Sequence, residues 1–263
     1  MAERKEILCL SRGETCSGAA LRALLRRTEP ERVMVFASWA ALETEEGRFD
    51  DSVLEALREE LMTVLRMNAE PVLCLYAGED PAWFLTKGGW TKEDNLRCYL
   101  RYVGRAVRSV GHLAAEYVTM YAPNELCWHG ERRSVRESFR ILSHMACDHV
   151  RAVKLIRDTR LQRGWGDTRV GFVLRMAPAL ELRRALLAGK SRTTASGYQK
   201  QPLLAMAKGE FILPMRNILR VHPGEWCDFV GVDCEDDKRE RVRAEAAELG
   251  SFPLWDIRRP EEE

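Results

Sequence analysis

Asn124 and Glu125 are the pair of side chains in this sequence best placed by type and spacing to do chemistry. They close the stretch EYVTMYAPNE, whose Tyr117, Val118, Thr119, Met120 and Tyr121 are the aromatic, β-branched and apolar residues of a strand. A turn after that strand presents the Glu125 carboxylate at the strand's C-terminal end. A carboxyl there can give and take a proton, though it can also cap a helix or lie in solvent. Glu79 and Asp80 follow another apolar run, within reach of Glu125 if the two turns share a face. Facing carboxylates raise one pKa and support acid/base work, whereas solvated loop acids or a salt bridge with Lys87 is the plainer outcome. Trp83, Trp90 and Trp128 also fall near strand ends, where aromatic rings stack on a ligand or support loops.

His144 and Asp148 are four apart on one helical face, the spacing of two metal ligands. On an outer helix, Asp148 and His149 serve more often as interhelical hydrogen-bond partners, so no metal is expected. The eight cysteines (Cys9, Cys16, Cys74, Cys98, Cys127, Cys147, Cys227 and Cys234) are dispersed and form no C-x-x-C pair. Free thiols are expected. There is no glycine-rich phosphate loop and no nucleophile elbow, and no cofactor is implied.

The elements that must position these groups alternate. Apolar runs of strand length occupy 6–10, 33–38, 71–76, 117–121, 169–176 and 227–232, and 252–257 is either a seventh strand or a docked tail. Between them lie helical patterns. The one after residue 52 opens with Ser52 and Glu55 as a capping box, and the one after residue 134 with Ser134 and Glu137. Thr91 and Asp94 supply caps for the helix that ends at Gly111, expected as its C′ residue. The helix after Ser134 is expected to run to about Asp158, and a helix rich in Leu and Ala follows Pro178. Residues 190–200 read as a loop, and 206–219 as helical pieces around Pro214.

Strand followed by helix, repeated, implies a mostly parallel sheet with right-handed crossovers. Six to seven such units fall short of the eight of a closed barrel, so the expected fold is α/β, an incomplete TIM-type (β/α) barrel. One domain, 1–263, accounts for the length, and a 46% hydrophobic content supplies its core. With 41 basic and 40 acidic residues the net charge is +1, which gives nucleic acid no electrostatic footprint. No signal h-region or membrane-length run is present, so a cytoplasmic protein is expected. A sheet stopped after six or seven strands leaves an open edge, which a second copy of the chain could cover.

Five stretches, in order over roughly residues 33–235, resemble glycoside hydrolase family 1, the β-glucosidase and 6-phospho-β-glucosidase family with a (β/α)8 barrel. Ser38-Trp39 with Glu43, Glu46-Gly47 and Phe49-Asp50 is similar to that family's second-strand motif. Leu75-Tyr76, Pro81, Trp83-Phe84-Leu85 and Gly88-Gly89-Trp90 resemble its L-Y-H-x-D-x-P-x-W-L … G-G-W loop. Asn124-Glu125 falls where the family has N-E-P, residues 149–155 resemble its A-H-A-x-A-V-x-L helix, and 228–232 resembles its D-F-x-G-V-N strand.

The resemblance implies that Glu125 is the general acid/base and that Asn124 binds a sugar 2-hydroxyl; Trp83, Trp128 and Glu79, from their places near strand ends, are the further candidates for substrate binding. The implied ligand is a β-glucoside or a 6-phospho-β-glucoside. A retaining glycosidase also needs a nucleophilic carboxylate about 5 Å from the acid/base. The family keeps it in a T-E-N-G strand beyond the sixth, and this chain has no such motif. Asp256, Glu79 and Asp233 are the candidate substitutes. Sugar contacts have also changed: Ala77 and Gly78 stand where the family has His and an aromatic residue, Met34 where it has an Arg that holds the carboxylates, and Leu126, Asp233 and Cys234 at further motif positions. The expectation is a shortened, degenerate relative, a pseudoenzyme or weak β-glucosidase. The alternatives are an active β-glycosidase with a substitute nucleophile and a non-catalytic barrel that forms oligomers or binds a partner.

Overall fold

The computed structural model describes residues 5–10, 18–125, 134–177 and 197–260. Its first half runs β1 (Lys5–Cys9), α1 (Gly18–Thr28), β2 (Arg32–Phe36), a single-turn α2 (Trp39–Leu42), α3 (Asp51–Arg66), β3 (Glu70–Cys74), a short α4 (Ala82–Thr86) and α5 (Leu96–Val110). There follow β4 (Glu116–Tyr121), α6 (Val135–Arg163), β5 (Arg169–Arg175), α7 (Gly197–Lys208), β6 (Phe229–Asp233), α8 (Arg239–Ala247) and β7 (Leu254–Arg258).

Every strand pairs in parallel with its sequence neighbour, and β7 pairs with β1, so the seven strands form a closed barrel. The TIM-type arrangement with seven units is as expected, but the open edge is not there. The stretch at 252–257 forms β7, which sets Val230 against Leu254 on one side and Lys5 against Trp255 on the other. A second copy is therefore not needed to cover unpaired backbone.

Two apolar cores explain why these sequences fold this way. Outward residues of the strands, such as Val33, Leu73, Tyr117, Phe172 and Val230, pack under the helices, while Ile7, Met34, Val72, Val118, Val173, Phe229, Trp255 and Ile257 fill the lumen. The floor of the lumen is polar but sealed. Trp255 stacks on Phe229 at 4.0 Å, the Arg32 and Arg169 guanidiniums lie 5.2 and 5.4 Å from the Trp255 ring centre, and both bind the buried Glu116. Among the described residues no helix is long and apolar enough to cross a membrane.

Several local expectations shift. Asp50 rather than Ser52 caps α3, its carboxylate accepting from the Ser52 amide at 2.8 Å. Ser134 caps α6 as expected, accepting from the Glu137 amide at 3.2 Å. That helix runs past Asp158 to Arg163, where Gly164 takes a left-handed φ of 65°. Neither Thr91 nor Asp94 caps α5, and Gly111 has a right-handed φ of −61° and leads into a 3-10 turn. Residues 197–200, read as loop, begin α7, which ends at Lys208, and 209–228 hold turns but no helix. The helix expected after Pro178 lies outside the described residues.

Candidate functional site

The strands' C-terminal ends gather the polar residues. At the end of β4 the chain turns through Ala122, a non-glycine residue at φ 48°, and the Glu125 amide donates to the Ala122 carbonyl at 2.9 Å. This turn sets Asn124 and Glu125 beside the mouth of the barrel. Asn124 is fully buried, and its side chain copies a strand: Nδ2 donates to the Arg175 carbonyl at 2.7 Å and Oδ1 accepts from the Arg175 amide at 3.2 Å. Its amide group thus pins β4 to β5, and the expected hydroxyl contact competes with those bonds. Glu125 itself is half-buried at the rim.

Arg175 is register partner of Asp233, the last residue of β6. The parity that turns Phe229 and Gly231 into the lumen turns Asp233 inward as well. Its Oδ2 accepts three bonds, from the Tyr121 hydroxyl at 2.7 Å, from Arg175 Nη1 at 3.1 Å and from Arg259 Nη2 at 2.9 Å. Burial, with Cys9 and Asp233 nearby, raises the Tyr121 pKa. For Arg259, burial works against the charge, but Asp233, Tyr121 and Cys9 together more than offset it and the pKa is raised. Phe36 sets its ring edge-on to Tyr121, 5.8 Å between centroids, and Cys9 Sγ lies 3.8 Å from the Tyr121 oxygen. The mouth therefore combines one carboxyl group, two guanidiniums, a phenol and an apolar wall.

The other expected site residues divide. Glu79 is exposed and accepts from Ser38 Oγ at 2.9 Å. Asp80 is held by Tyr76 OH at 2.9 Å and Trp90 Nε1 at 3.0 Å, while Lys87 pairs with Glu46 instead. Trp83 is spent on packing: Nε1 donates to the Glu43 carbonyl at 2.7 Å, Trp39 packs edge-on at 6.1 Å, and Arg101 lies over the ring. Trp128 lies outside the described residues. On α6, His144 bonds the Trp90 carbonyl at 2.7 Å, His149 bonds Thr119 Oγ1 at 2.6 Å, and Asp148 receives Arg151 at 3.0 Å. The two histidine bonds tie the helix to its surroundings and the Asp148–Arg151 pair lies within it, and among the described residues no three metal-binding side chains cluster. The six described cysteines are free, and Cys16 and Cys127 lie outside the description.

No protein-family model and no curated protein matches the chain. Solved structures do. A β-glycosidase from Pyrococcus horikoshii superposes with a TM-score of 0.63 at 19% identity, covering 81% of this chain and 51% of that one. A β-glucosidase from Exiguobacterium marinum gives 0.63 at 16% identity over 82% and 52% of the two chains. The family 1 β-glucosidase from Thermotoga maritima gives 0.62 at 18% identity over 81% and 52%. The fold is glycoside hydrolase family 1-like. The chain spans about half the length of these structures.

Trp255 and Ile257 face the lumen, so Asp256 faces outward, where it is fully buried against α8 and receives Arg243 Nη1 at 2.8 Å and Arg239 Nη1 at 3.5 Å. It is a helix anchor, which removes it as a substitute nucleophile. The next inward residue is Arg259, so β7 offers the mouth a cation. Sequence reasoning missed Arg175, Arg259 and Tyr121. Parity counted from Trp255 and from Gly171 would have found both arginines, had the inward face of each strand been known.

Proposed function

We propose that the chain is a glycoside hydrolase family 1-like protein of carbohydrate metabolism that keeps the acid/base carboxyl, Glu125, and lacks the family nucleophile, so that it is weak or inactive as a β-glucosidase. The observation that carries this reading is the inward face of β7, where Trp255 and Ile257 are followed by Arg259, while the nearest acid, Asp256, is tied to α8 on the far side of the strand. Glu125 would protonate the departing glycosidic oxygen and afterwards take a proton from the incoming water. The ligand is a β-glucoside or its 6-phosphate, entering over Phe36, Tyr121 and Asp233.

The test is hydrolysis of an activated aryl β-glucoside and of its 6-phosphate by the native chain, with and without azide. Azide is small enough to replace a missing nucleophile. Slow or absent release that azide accelerates supports the reading. Release at an ordinary enzymatic rate of about 10 s⁻¹, indifferent to azide, would overturn it.

A further inference from the structure

We propose that Asp233 is the second carboxylate of this site and that such turnover as the chain has passes through it as nucleophile; the proposal rests on Glu125 being the acid/base. The argument is in how Asp233 is held. Its side chain is 5% exposed and carries all three donors, Tyr121, Arg175 and Arg259, on Oδ2. Oδ1 accepts no hydrogen bond among the described residues. Asp228 uses both oxygens, receiving Arg157 Nη2 at 2.9 and 3.0 Å, and Asp256 and Asp148, which like Asp233 are bonded through one oxygen, keep the other sealed in the protein interior without a partner, whereas Asp233 Oδ1 is not among the sealed atoms. Asp233 is clasped by one oxygen and leaves the other to a ligand.

That is the arrangement an attacking carboxylate needs: held by donors, fixed in direction, and with one free lone-pair face. The guanidinium that the family resemblance would place at Met34 arrives instead from β5 and β7. Position agrees as well. Asn124 is bonded to Arg175, and Arg175 is paired with Asp233, so Glu125 and Asp233 stand two strand spacings apart along the wall, about 9–10 Å between backbones. A Glu and an Asp reaching in from the two ends can reduce that gap to the about 5 Å of a retaining pair. The other candidate acids are engaged elsewhere, and Glu79 is exposed and accepts from Ser38 Oγ at 2.9 Å. Asp256 faces α8, Asp80 is held by Tyr76 and Trp90, and the buried Glu43 binds Trp39, Gly47 and Arg101.

In the first step Asp233 Oδ1 forms a bond to the anomeric carbon. The bond to the leaving oxygen breaks with its electron pair, and that oxygen takes the Glu125 proton. In the second step water gives a proton to the Glu125 carboxylate, its oxygen bonds the anomeric carbon, and the bond to Asp233 breaks to return the carboxylate. A residue shorter than Glu, set one strand away from the family's position, makes this route slow, which accords with weak activity.

The experiment is to incubate the native chain with a 2-deoxy-2-fluoro-β-glucoside bearing a dinitrophenolate leaving group, then to weigh the intact protein and map labelled peptides. One fluoroglucosyl group on Asp233, with a stoichiometric burst of dinitrophenolate that Asp233→Asn lacks, is the expected result. The mapping is made on the native chain, so it does not depend on how well the variant folds. A label on any other carboxylate, or no label on the folded native chain, overturns the proposal. No label leaves the weak or inactive reading standing; brisk azide-independent turnover that Glu125→Gln does not slow removes that reading itself.

Discussion

Replacing Glu116 by Gln isolates the ion cluster that seals the barrel floor. Glu116 is 2% exposed, receives Arg32 Nε on both oxygens at 3.3 and 3.1 Å, and also binds Arg169. Both guanidiniums lie over Trp255, so the cluster also seats β7, the strand that closes the ring. For Arg32, burial opposes the charge, but Glu116 and Glu31 more than offset it, and its pKa is raised. Glutamine keeps the shape and removes the charge, leaving Arg32, itself 5% exposed, facing a neutral amide. Breaking a buried pair from one side costs about 3–5 kcal/mol. Glu31 and Glu70 remain beside Arg32 but are 68% and 59% exposed, so each recovers little. Arg169, at 43% exposure, can turn to water. The low end of the range, about 3 kcal/mol, is therefore expected, equivalent to about 6–12 °C in melting temperature for a chain of this size. Urea unfolding followed by tryptophan fluorescence should show a lower midpoint at unchanged slope, while Glu31→Gln should move stability by less than about 0.5 kcal/mol. If Glu116→Gln falls within that same small margin, the floor cluster does not hold the ring closed.

Other consequences are equally open to measurement. At Gly171 an added Cβ would lie 2.4 Å from the Phe229 carbonyl oxygen, so Gly171→Ala should cost about 2–3 kcal/mol or more, and an unchanged thermal melt would refute the lumen packing. Burial lowers the pKa of His149 to about 3 from 6.5, so below about pH 6.5 the unfolded chain takes a proton that the native one refuses. Its contribution is complete above pH 6.5 and is lost as pH falls towards 3; a pH series of melts in which His149→Phe shows the same acid limb as the native chain would contradict this. Burial raises the pKa of Asp148 to about 8, so its sign is opposite: its contribution is complete below the ordinary carboxylate range and is lost as pH rises through 8, a loss that Asp148→Asn should remove. Asp256→Asn should lower the melting temperature by freeing Arg239 and Arg243 yet leave any glycoside turnover per folded molecule unchanged. Loss of turnover in a fully folded sample would mean that Asp256 reaches the lumen.

Much of the fold was legible because hydrophobic period and turn residues agree over the first six units, and because Glu125 follows a strand so rich in aromatic and β-branched residues. β7 was doubtful because FPLWDI is short and contains Pro; what makes it a strand is pairing on both sides, a non-local gain that no local pattern reports. Residues 197–200 read as loop because the stretch 190–200 is polar, small and without periodicity, yet Leu203, Ala205 and Met206 are buried against the barrel, and that packing decides for helix. The mouth was only half visible for a related reason. Strands apolar on both faces do not announce which face is the lumen, so Arg175, Asp233 and Arg259 could not be aimed at one point. Asn124 misled in the other direction, since its bonds to Arg175 are those of a side chain standing in for backbone.

The measurement that goes most directly to the central claim is the leaving-group dependence of Glu125→Gln. Native and variant chains, both shown to be folded, are compared on phenyl and dinitrophenyl β-glucosides. If Glu125 is the proton donor, the phenyl substrate, whose leaving group needs the proton, should slow by about 10²–10⁴-fold while the dinitrophenyl substrate loses far less in bond cleavage. An equal loss on both substrates, or none on either, would contradict the assignment of Glu125 as the acid of this barrel.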